Sequence, residues 1–111
     1  MIFKRTKLKN HVVISVNLKS ATIEHTEEFK TLFEELIIDG TNNIIVDLLE
    51  CDFIDSTFMG VLVRCHKEVQ RKDGKLKIVC DGKVYFLLHD VTHLSSVIKI
   101  YKSRQEALNA D

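Results

Sequence analysis

The chain has 111 residues, 45% of them hydrophobic, which is enough for one small domain with its own core and too few for two. Its 16 Lys and Arg balance 16 Asp and Glu, so no charge excess points to nucleic acid, a membrane surface or an acidic substrate. The expected partner is therefore another protein.

Taken in chain order, Met1 to Lys9 alternates loosely through Ile2, Phe3 and Leu8 and predicts an edge strand, with Lys9 and Asn10 turning into the next. His11 to Leu18 places Val12, Val13, Ile14, Val16 and Leu18 around polar Ser15 and Asn17, which predicts a second, half-buried strand. Lys19 to His25 is polar and turn-like. Thr26 then suits a helix cap before Glu27 and Glu28. Phe29, Leu32, Phe33, Leu36 and Ile37 recur at helical spacing from about Glu27 to Ile38, and Asp39-Gly40 ends that helix.

The organising stretch follows, from Asn43 to Lys72. Ile44, Ile45 and Val46, with Leu48 and Leu49 after them, form a short apolar run expected as a strand buried on both faces. Thr57 to Lys72 reads as a helix whose apolar stripe is Phe58, Leu62, Cys65 and Val69, flanked by Val61. Met59 and Val63 lie off that stripe, which fits either deep burial of the first turns or a partner-binding patch. Polar residues gather between strand and helix at Asp52, Asp55, Ser56 and Thr57. Asp55 and Ser56 both suit the capping position, and Ser56 is also a hydroxyl at the positive end of a helix, where a phosphoryl group can be held.

Asp73-Gly74 is expected to end this helix as Asp39-Gly40 ends the first. Leu76, Ile78 and Cys80 alternate with Lys77 and Val79 in a further strand. Val84, Leu87, Leu88 and Val91 predict a short helix, Val97 to Tyr101 a last strand, and Ser103 caps a final helix containing Ala107 and Leu108. Strands and helices in this alternation require parallel neighbours joined by helical crossovers, an α/β fold.

Val46-Asp47-Leu48 followed by Phe53-Ile54-Asp55-Ser56-Thr57-Phe58-Met59-Gly60-Val61-Leu62-Val63 resembles the (F/M)-(I/M)-D-S-(S/T)-G-(L/M)-G-V-L signature of STAS domains, specifically the bacterial anti-sigma factor antagonists. The resemblance spans nearly the whole chain. It implies a single STAS domain over 1–111, with a mixed β-sheet of about five strands and four helices. It further implies that Ser56 is phosphorylated by an anti-sigma factor with serine kinase activity, and that Asp55, Ser56, Thr57, Met59 and Val63 form the partner-binding surface. Unphosphorylated protein would sequester the anti-sigma factor, and phosphorylation would break the complex.

Three positions depart from the family pattern. Phe58 replaces a glycine and adds bulk at the first helical turn, where a kinase loop would approach. Thr22 stands where an aspartate usually lies near the phosphorylation site, and His93 stands for a glycine. Phe58 and Thr22 favour the alternative, an interaction or scaffold module without phosphorylation; a small-ligand sensor is the third reading.

Catalytic signatures are missing from the sequence. His11, His25, His66, His89 and His93 show no zinc-ligand spacing, His89 and His93 being only an i, i+4 pair. There is no G-x-S-x-G elbow, Walker A loop or G-x-G-x-x-G, so neither enzyme activity nor a cofactor or metal is expected. Cys51, Cys65 and Cys80 have no CxxC spacing and predict reduced core thiols. With no signal peptide and no run near the ~20 apolar residues of a membrane span, the expected location is the cytoplasm.

Overall fold

The computed structural model describes residues 1–110. β1 (Phe3–Leu8) and β2 (His11–Val16) form an antiparallel hairpin, with Lys9 in left-handed backbone at the turn. β4 (Asn43–Asp47), β6 (Lys75–Val79) and β7 (Lys99–Tyr101) extend the sheet in parallel, in the order β1-β2-β4-β6-β7. The expected mixed sheet of five strands is present. β4 lies at its centre, and Ile44, Ile45 and Val46 are fully buried, as an apolar run with no polar alternation requires.

One face of the sheet carries α1 (Thr26–Ile38) and α2 (Ser56–Arg71). Phe29, Phe33 and Leu36 from α1 meet Phe58, Val61, Leu62, Cys65 and Val69 from α2 in the main core. Phe29 sits between two other rings, 5.5 Å from Phe3 and 5.3 Å from Phe58, so three elements converge on one aromatic cluster. The opposite face is covered by α4 (Arg104–Asn109), where Ala107 packs on Val13, Ile45 and Val79.

Buried charges pin both ends of α4. Arg104 binds the Asp47 carboxylate at 2.5 Å and the Ser15 hydroxyl at 2.8 Å. Lys77 donates to the carbonyls of Ala107 and Ala110 at the other end, at 2.7 and 2.8 Å. Lys77, read from the sequence as the polar side of an alternating strand, is thus buried under a helix C-terminus whose partial negative charge suits an ammonium.

Several boundaries differ from the sequence reading, each for a local reason. Lys19 to His25 is not simply a turn: β3 (Ser20–Ala21) pairs in parallel with β5 (Phe53–Ile54), and Ile23–His25 forms a 3-10 turn leading into α1. Thr22, not Thr26, is the cap there, accepting from the Glu24 amide; Thr26 is buried inside the helix and donates to the Ile23 carbonyl. At the end of α2 it is Asp73 that takes the left-handed conformation, φ 59°. Gly74 is required for another reason, since a Cβ there would lie 2.3 Å from the Asn42 carbonyl oxygen.

The later helix is α3 (Gly82–Phe86), continued by one π turn, Leu87–Val91. Val84 and Leu88 are buried as expected, whereas Val91, at the end of the wider turn, is exposed. The last strand begins at Lys99, since Leu94–Ser96 forms a 3-10 turn before it. Among the described residues no helix is long and apolar enough to cross a membrane.

Candidate functional site

The site lies where β5 hands over to α2. Asp55 is extended and half-buried, and its carboxylate accepts from two helix starts at once. Oδ1 takes the Phe58 amide at 2.8 Å, the usual capping bond of α2; Oδ2 takes the Ile23 amide at 2.9 Å, from the turn that opens α1. The Asp55 amide in turn donates to the Ala21 carbonyl at 3.0 Å. The sequence offered both Asp55 and Ser56 as the cap; the structure gives that role to Asp55.

Ser56 is therefore released from any capping duty. It is the first residue of α2 and is exposed, as is Thr57. Met59 and Val63 are half-buried against the main core, so each contributes to packing while leaving part of its surface on the outside. At about 100° per residue, Ser56, Met59, Gly60 and Val63 share one side of α2. Of the five residues singled out in the sequence, Ser56, Met59 and Val63 share that side, Thr57 is exposed about 100° round the helix from Ser56, and Asp55 positions the helix start.

Phe58 does not obstruct this face. Its ring points into the core with no exposed surface and packs against Phe29 with the two ring planes inclined at 57°. The expected added bulk at the first turn is corrected accordingly: replacing the family glycine by phenylalanine enlarges the core. Thr22 supplies its hydroxyl as a cap, a role aspartate also fills, but brings no negative charge.

Two residues outside the sequence-based set flank the site. Ile23 is 62% exposed and Phe53 is 49% exposed. Ile23 is held through the Asp55 carboxylate and Phe53 through the Lys19 carbonyl, which also binds the Asp52 amide. Their polar, turn-like surroundings hid them, because nothing in the local pattern showed that β3 and β5 lie side by side.

The remaining reactive side chains lie elsewhere. Burial pushes the Cys65 and Cys80 thiols up to about 12, and burial together with the nearby Asp47 carboxylate pushes Cys51 up to about 11. All three are free and buried, which fits core thiols and not nucleophiles. His89 stacks on Tyr85 with ring centroids 5.2 Å apart and lies 3.0 Å from the Asp90 carboxylate, while His93 occupies left-handed backbone.

Comparison with known proteins agrees with this architecture. A family model described as STAS domain matches residues 2–107. A Thermotoga neapolitana protein, provisionally named an anti-sigma factor antagonist, is 32% identical over 103 residues, covering 92% of this chain and 91% of that protein. The crystal structure of a Thermotoga maritima protein with the same provisional name superposes with a TM-score of 0.86 at 28% identity, covering 96% of this chain and 91% of that one. The phosphorylated Bacillus cell fate determinant SpoIIAA shares the fold at 16% identity, with a TM-score of 0.72 and 96% of each chain covered.

Proposed function

Because the chain belongs to the STAS domain family, we propose that it is an anti-sigma factor antagonist switched by phosphorylation of Ser56. Unphosphorylated, it binds an anti-sigma factor with serine kinase activity through the Ser56 face of α2 and so frees the sigma factor. In the switching step the Ser56 oxygen attacks the γ-phosphorus of ATP held by the kinase, ADP leaves, and the hydroxyl proton passes to a base of the kinase. The protein is thus the substrate and binding partner of an enzyme and does no chemistry of its own.

The observation that supports this reading is the exposure of Ser56 on a helix start already capped by its neighbour. A phosphate there adds about −1.5 to −2 charges beside Asp55 and Asp52. Asp55 already occupies the Phe58 amide, one of the donors that a helix N-terminus would otherwise offer an anion. With that donor taken, more of the added charge stays on the docking face, where it disfavours contact with a partner.

The alternative, an interaction module without phosphorylation, drew on Phe58 and Thr22. With Phe58 in the core, its steric motive is gone. Incubation with the kinase and ATP, followed by mass spectrometry, should find one phosphate on Ser56. Ser56→Ala should keep partner binding and Ser56→Asp should abolish it. A kinase that binds both variants equally would sink the proposal.

A further inference from the structure

The sheet splits at one end. β6 begins at Lys75, but its first pairing with β7 is Lys77 to Lys99. Val97, which that register would set opposite Lys75, belongs to the preceding turn, where its amide donates to the Leu94 carbonyl at 2.9 Å. The split leaves a crevice of about 310 Å³, at the lower end of the ~300 to 1,000 Å³ range of small-molecule pockets. His66 and Gln70 reach it from the second half of α2, and His66 lies about 15 Å along that helix from Ser56.

The lining combines apolar and cationic side chains. Leu76 is buried, whereas Val97 is 49% exposed, a branched apolar side chain left uncovered in the crevice wall. Lys75 and Lys99 are both exposed and line the same space. Lys75 and Lys77 share one face of β6, and Lys99 stands opposite Lys77 on that face, so three lysines adjoin. Like charges opposite each other across strands are destabilising. Lys77 places its ammonium on the Ala107 and Ala110 carbonyls. Among the described residues Lys99 makes no ion pair. None of the lining residues is acidic; Asp73 adjoins Gly74 in the chain, and Asp111 falls outside the described residues.

Lysine on an edge strand also discourages pairing with a second sheet, and that accounts for Lys99 taken alone. It does not account for an uncovered valine in a split between strands, beside a half-buried imidazole. Burial and Lys67 hold His66 below its ordinary value of 6.5, so the ring is uncharged at neutral pH. Its Nδ1 is shut off from solvent without a partner, which leaves Nε2 to meet a bound molecule. The crevice therefore offers a neutral hydrogen-bonding ring, a short apolar surface and lysine ammonium groups.

We infer that the crevice between β6 and the segment before β7 binds a small carboxylic acid with a compact apolar body, its carboxylate held by Lys99 in the field of Lys75 and Lys77, its body against Leu76 and Val97. Both halves of the molecule are needed. A bare anion leaves Val97 uncovered, and an uncharged molecule leaves Lys99 without a counter-charge. The site is separate from the Ser56 face, so it stands or falls independently of the antagonist reading.

The test titrates hexanoate, hexanol and inorganic phosphate into the isotope-labelled full chain and follows its amide resonances. Hexanoate should shift the His66, Gln70, Gly74, Leu76 and Lys99 amides together and saturably, with a Kd of about 1 mM. Hexanol and phosphate should each bind at least tenfold more weakly. Lys99→Glu sets an acid opposite Lys77, so it should keep or raise the thermal midpoint while weakening hexanoate at least tenfold, a combination that misfolding cannot produce. Val97→Ser should weaken hexanoate and leave phosphate unchanged. Absence of saturable shifts at these amides overturns the inference, as does a hexanoate affinity in Lys99→Glu within twofold of the parent. Phosphate binding as tightly as hexanoate would overturn the carboxylic acid assignment, and hexanol binding as tightly would overturn the role of the lysines.

Discussion

The Ile23 amide donates to the Asp55 carboxylate at 2.9 Å across 32 positions of sequence, joining the turn that opens α1 to the cap of α2. The same carboxylate holds the Phe58 amide with its other oxygen. One side chain therefore fixes both the helix start that bears Ser56 and the neighbouring segment that bears an exposed isoleucine.

Removing that carboxylate should loosen both segments. Asp55→Ala loses a helix cap and a long-range hydrogen bond, and should lower stability by about 2 kcal/mol in urea unfolding. Ser56→Ala, exposed and outside the cap, should stay within about 0.5 kcal/mol of the parent. If the two variants were equally destabilised, Ser56 would share the capping role. Hydrogen exchange should show the Ile23 and Phe58 amides exposed together in Asp55→Ala.

Phe58 belongs to the core by its contacts with Phe29. Phe58→Ala should cost about 3 to 5 kcal/mol in stability, the range for a buried aromatic truncated in a packed interior. Partner affinity measured well below the unfolding temperature should change far less than it does in Ser56→Asp. A variant as stable as the parent would contradict this placement.

His93 holds a left-handed φ of 55° where the family pattern has glycine. That backbone is strained for a residue with a Cβ and is open to glycine. His93→Gly should therefore raise stability by up to about 1 kcal/mol, the gain being partly offset by the greater freedom of glycine in the unfolded chain. A lower thermal midpoint would show that the imidazole makes a contact worth more than the strain.

Stability should also fall on mild acidification. Burial and the nearby Lys77 and Lys9 hold His11 below its ordinary value of 6.5, and burial with Lys67 does the same for His66. Each ring has a buried Nδ1 without a hydrogen-bond partner. As pH drops through about 6.5 the unfolded chain takes up protons that the folded chain refuses, so unfolding is favoured until the folded-state values are passed. Urea midpoints at pH 7.5 and pH 5.5 should differ in that direction, and His11→Leu should reduce the difference. A midpoint that rises on acidification would reverse the assignment.

Much of this molecule was legible in the residues because its main elements follow local rules. The β-branched run at Ile44 to Val46 had to be a central strand, and the spacing of Phe58, Leu62, Cys65 and Val69 had to face a sheet. The Asp55-Ser56 pair likewise announced a helix start carrying an available hydroxyl. What remained hidden was settled between segments distant in sequence. That Asp55 and not Ser56 is the cap, that Phe58 turns inward to Phe29, that Lys77 lies beneath α4, and that Ile23 is tied to Asp55 and Phe53 to Lys19 all depend on which surfaces meet. Periodicity reports which side of an element is apolar; the identity of the neighbour is decided only when the whole chain has closed around its core.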